Sequence, residues 1–88
     1  MSLMETEKEL IFSLPNGMEL KINKDEIKEI KEDYPPKELC ELIYKLYKKR
    51  VIIAGTTLDG KISFYGIKEG EKCKRIELKN GRVIYIST

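Results

Sequence analysis

Lys45, Lys48, Lys49 and Arg50 crowd together in the middle of the chain, and Lys72, Lys74 and Arg75 form a second basic group nearer its end. Lysine and arginine neutralise phosphates and release counterions, and aromatic rings stack on bases. With Tyr47 inside the first group and Tyr44, Tyr65 or Tyr85 as stacking surfaces, these seven cations are the candidate contacts of a small nucleic-acid-binding domain. The same segments also carry Glu38, Glu41, Glu69, Glu71 and Glu77. Interleaved acids fit a solvated surface of mixed sign, with the mid-chain cations placed to meet the negative end of a helix dipole, and this reading is preferred.

Chemistry of the bond-making kind finds little material. The chain has no histidine, so the commonest general base and metal ligand is missing and Ser-His-Asp or Cys-His arrangements cannot be built. Glu26, Glu29, Glu32 and Asp33 alternate with lysines, the pattern of an exposed helix face with ion pairs four residues apart. The glycines stand singly, without a phosphate-binding spacing. Cys40 and Cys73 belong to no Cys-x-x-Cys pair and read as two separate buried thiols, with a disulfide between them as the alternative. No catalytic residue, metal site or cofactor is expected, and the chain is not expected to be an enzyme.

The 17 basic and 15 acidic residues nearly cancel, for a net charge of +2 over 88 residues, so no strong global field draws the protein onto DNA or anionic lipid. At 41% hydrophobic and 36% charged the chain is too apolar for disorder, and its length suits one domain over residues 1–88. Abundant Lys, Glu and Ile fit a thermophile's ion-paired surface or a codon bias. No apolar run reaches the roughly 20 residues of a membrane helix and no secretory core is visible, which points to the cytoplasm. Met1-Ser2-Leu3 precedes a second methionine, Met4, and reads as a leader on which nothing functional is based.

The elements that must position any site are announced by one phrase written twice. Leu14-Pro15-Asn16-Gly17-Met18 is answered by Leu78-Lys79-Asn80-Gly81-Arg82, each an Asn-Gly turn between alternating apolar residues and hence a β-hairpin signal. In the first, a three-residue loop sets Leu14 against Met18, Phe12 against Leu20 and Leu10 against Ile22, which gathers the apolar set on one face. Asn23, with Glu26 three residues on, predicts a capped short helix over Asp25 to Asp33. Tyr34-Pro35-Pro36 forces a corner, and Leu39, Leu42, Ile43 and Leu46 predict the buried stripe of a main helix from Pro36 to about Arg50. Val51-Ile52-Ile53-Ala54 reads as a strand buried on both faces. Turns near Asp59-Gly60, Gly70 and Asn80-Gly81 then separate further strands ending at Ile86.

The predicted fold is α+β: an N-terminal hairpin, a short helix, a main amphipathic helix, and a four-stranded antiparallel meander packed on that helix. The predicted function is a small non-catalytic interaction module that buries a sheet edge or hairpin face against its own copy or another protein. Val83, Ile84, Tyr85 and Ile86 are its candidate interface, because they point to both sides of the last strand. The nucleic-acid-binding domain is the alternative. A pocket between helix and sheet with converging polar groups would instead mark an enzyme or a small-ligand carrier.

Overall fold

The computed structural model describes residues 2–14 and 17–87. The chain runs β1 (Ser2–Glu5), β2 (Glu9–Ser13), β3 (Glu19–Asn23), a 3-10 turn (Lys24–Glu26), β4 (Ile27–Asp33), α1 (Lys37–Tyr47), β5 (Val51–Thr56), β6 (Ile62–Lys68), β7 (Cys73–Leu78) and β8 (Val83–Ile86). The fold is mostly β: a three-stranded sheet ordered β1-β2-β3 and a five-stranded sheet ordered β4-β7-β8-β6-β5, with one α-helix. This overturns the expected α+β meander on a main helix.

The core explains why. Leu10, Phe12 and Ile22 from the small sheet pack with Ile76, Leu78, Ile84 and Ile86 from the large one. Two apolar faces of alternating strands thus bury each other, which a sheet does more completely than one short helix can. The other face of the large sheet carries a second cluster of Phe64, Ile67, Cys73 and Tyr85, against which Leu39 of α1 packs. Within β6, Tyr65 packs against the first cluster and Ile67 belongs to the second, although residues two apart in a regular strand share a face. Gly66, at φ 63° between them, is where that alternation breaks.

Among the described residues, both written-twice phrases form the hairpins read from them. Leu14 N–H donates to Met18 O at 2.8 Å and Gly17 N–H to Leu14 O at 3.1 Å; Leu78 N–H donates to Arg82 O at 2.8 Å and Gly81 N–H to Leu78 O at 3.0 Å. The two turns share one bonding pattern, with Gly17 and Gly81 left-handed at φ 82° and 89°. Phe12 faces Leu20 and Leu10 faces Ile22, the expected register; Pro15 and Asn16 lie outside the described residues.

The predicted helix over Asp25 to Asp33 is the clearest correction. Asn23 does cap, accepting from the Asp25 N–H at 3.0 Å, but only the 3-10 turn follows before the chain extends as β4. A stripe of Ile27 and Ile30 alone gives a helix little to bury, whereas pairing with β7 satisfies the backbone and sets Ile30 beside Ile76. The meander is also corrected. β8 inserts between β7 and β6 and runs parallel to β6, because the β7-β8 hairpin docks as a unit between strands contributed from elsewhere in the chain. Ser2 and Leu3 of the expected leader belong to β1, paired with Ser13 and Phe12. Among the described residues no helix is long and apolar enough to cross a membrane.

Candidate functional site

Helix α1 ends sooner than predicted. Lys48 turns left-handed at φ 56° and its N–H donates to Tyr44 O at 2.8 Å, so Lys49 and Arg50 form a tight link into β5. Arg50 fastens that link: its guanidinium lies 4.1 Å from the Tyr44 ring centre and bonds Glu69 at 3.0 Å.

The expected buried stripe on α1 is half bare, with Leu39 and Ile43 half-buried. Cys40 is the buried residue of the helix, while Leu42 is 50% and Leu46 63% exposed. The reason is geometric: α1 leans its Cys40 side onto the large sheet, and the sheet's stronger apolar face is already spent on β1 to β3. Between α1 and the sheet lies an open groove of about 410 Å³, lined by Leu39, Ile43, Tyr47, Val51, Ile52 and Phe64, with Lys49 at one end. A second hollow of about 300 Å³ shares Leu39, Thr57 and Phe64 with it and holds Glu38 and Leu42. The two form one apolar trough, acidic at the end where α1 begins and basic where it stops.

The trough runs beside a strand edge. Four strands sit at sheet edges, β1, β3, β4 and β5. Natural edges are blunted by charge, proline or shortness. β4 carries Lys28, Glu29, Lys31, Glu32 and Asp33; β3 carries Glu19 and Lys21; β1 has four residues and ends on Glu5. β5, six residues of Val-Ile-Ile-Ala-Gly-Thr, has no charge and no proline. Its apolar run predicts a strand buried on both sides, and its place at the edge of the sheet is a correction.

The candidate interface Val83 to Ile86 forms β8, paired on both sides by β7 and β6. Ile84, Tyr85 and Ile86 are buried inside the chain, so they hold the sheet together and present no edge. Of the seven cations, Arg50 reaches Glu69, three residues before Lys72, at 3.0 Å, so the first basic group ends close to the turn that leads into the second. Lys74 and Arg75 are neighbours in β7 and so point to opposite faces. Arg75 bonds Tyr85 Oη and Glu77, each at 3.3 Å, and Glu77, also held by Lys28 at 3.3 Å, is kept below the usual carboxylate range chiefly by Arg75 and then by Lys28. Lys72 lies over Tyr34 at 5.8 Å and Lys48 over Tyr44 at 5.7 Å. Lys45 is an exposed residue of α1. Tyr85 is buried and stacked on Phe64 at 5.5 Å, and Tyr65 packs against the inter-sheet core. Those two rings are already occupied, while Tyr47 is 65% exposed.

Cys40 and Cys73 are free, buried thiols. Burial pushes Cys40 up, aided by Glu69; burial, then Asp33 and Cys40, push Cys73 from 9.0 up to about 11. Unfolded Cys73 releases its proton near 9.0 while the folded thiol keeps it to about 11, so the folded state binds more protons in that window and stability falls as pH rises through it. The loss attributable to Cys73 reaches about 3 kcal/mol. Urea midpoints measured across pH should show this decline, and Cys73→Ala should flatten it; an equal slope in that variant would exclude Cys73 as its source.

Among the described residues no group of three or more His, Cys, Asp or Glu is placed to hold a metal. The polar residues of the trough are Thr56, Thr57, Lys49 and Glu38, spread along its length. Comparison with protein-family models, curated proteins and solved structures gives no match for this chain.

Proposed function

We propose that this protein is a non-catalytic interaction module that receives an added β-strand along β5 and the partner's apolar side chains in the trough beneath α1. One observation carries the reading: the edge left without charge or proline, β5, is also the edge along the open groove that Leu39, Ile43 and Tyr47 of α1 line. Unpaired N–H and C=O groups along an edge supply affinity, and pockets alongside it supply selectivity. An exposed, flat, apolar edge is otherwise an aggregation hazard, which a resident partner removes.

Short peptides selected on the protein from a random display library test it. Binders should protect the β5 amides from hydrogen exchange and line the trough. Binders that leave β5 exchanging as before, or a library that returns none, count against the reading. A titration with single- and double-stranded oligonucleotides at low salt should show no salt-dependent association; a steep salt slope would favour phosphate contacts instead.

A further inference from the structure

We infer that the occupant of the β5 edge is a second copy of this chain, joined about a two-fold axis so that β5 pairs antiparallel with its counterpart. The inference rests on β5 being a docking edge, and adds what docks there. Two arrangements can join this edge to itself. A two-fold axis along the strands pairs them in parallel and puts the two α1 helices on opposite faces, where Leu42 and Leu46 stay bare. An axis perpendicular to the sheet pairs the strands antiparallel and sets both helices on one face, side by side and opposite in direction. Only the second covers the apolar stripe.

Charge selects the same arrangement. Glu38 stands at one end of the trough and Lys49 at the other. Neither is in an ion pair among the described residues, where the pairs are Lys24–Glu5, Lys28–Glu77, Arg50–Glu69 and Arg75–Glu77. With Val51 of one chain opposite Thr56 of the other, Lys49 falls beside the far end of its partner's β5. That is the end where Thr57 shares a hollow with Glu38. Each Glu38 therefore meets a Lys49, twice over by symmetry, and the trough is self-complementary. A peptide of another protein has no such built-in match. The result is a continuous ten-stranded sheet, twice the five strands of one copy, with its apolar seam roofed by two helices.

Sedimentation equilibrium of the full chain, from low to high micromolar, tests the pairing. The chain should be a dimer at the upper end. Glu38→Lys and Lys49→Glu should each weaken it about tenfold, since each change converts two attractive pairs to repulsive ones, while the double variant should recover the original affinity. Circular dichroism confirms that each variant is folded. A dimer indifferent to the single reversals, or not restored by the double, overturns the arrangement. A monomer throughout overturns self-association; if selected peptides still protect β5, the docking edge stands without this occupant, and if they do not, both readings fall together.

Discussion

Leu46→Glu leaves the chain folded and raises the Kd for docking along α1 and β5 by about a hundredfold or more. At 63% exposure Leu46 contributes little to the isolated fold, and changes at such positions alter stability by about 0.5 kcal/mol or less. In the proposed docked state, where the apolar flank of α1 is covered, the same side chain leaves water. Burying a leucine supplies about 1.5–3 kcal/mol, and a carboxylate in its place must also be stripped of hydration or held out of the seam. A loss of about 3 kcal/mol corresponds to roughly a hundredfold in Kd. Isothermal calorimetry with a selected peptide, or sedimentation of the chain alone, measures it, with a urea melt as the check on folding. An unchanged Kd in a folded variant would remove α1 from the docking face.

Phe12→Ala has the larger effect on the fold itself. Phe12 is fully buried on the central strand of the small sheet, against the isoleucines of β7 and β8. Truncation removes the ring's transfer energy and leaves a cavity that two facing sheets cannot close, at a cost of about 3–5 kcal/mol. That is a large share of the roughly 5–15 kcal/mol that holds an ordinary domain together. Because the ring touches both sheets, amides of β7 and β8 should lose hydrogen-exchange protection along with those of β2. Leu42→Ala, at a half-exposed position of α1, serves as the near-neutral comparison. A cost of less than about 1 kcal/mol, or loosening confined to β1 to β3, would mean that the small sheet is a separate attachment instead of half the core.

The two hairpins were legible because everything that specifies them is local. Gly17 and Gly81 take positive φ, apolar residues alternate on both sides, and a slip of one residue would expose Phe12 and Leu20 together. The existence and approximate span of α1 were legible for the same reason, from the helical spacing of Leu39, Leu42, Ile43 and Leu46. β4 was not. Ile27 and Ile30 sit three apart, which suits a helix, and with a bulge between Ile27 and Glu29 also suits a strand on β7. Local preference between the two is weaker than the gain from completing a ladder with residues some 45 positions away in sequence, from Ile27↔Leu78 to Asp33↔Cys73.

The open edge beside α1 escaped the sequence reading for a related reason. An apolar run such as Val51 to Ala54 has one appearance whether it is flanked by strands on two sides or on one, and the stripe of α1 has one appearance whether the sheet covers it or not. The signal that was present is an absence: β5 alone among the edge strands lacks charge and proline. That absence acquires meaning only when the strand is known to be an edge. Val83 to Ile86 carried the opposite ambiguity, apolar on both sides because the strand is central.

From its residues alone this chain determined two glycine-cornered hairpins with their register, one amphipathic helix, and a side-chain stock with no histidine, all properties of short-range sterics and composition. Tertiary structure decided which strands became neighbours, that β8 slipped between β6 and β7, and that α1 was left half bare beside an open edge. Those outcomes turn on how two sheets and a helix compete for a limited set of apolar faces, a competition between distant segments that no local window of sequence records.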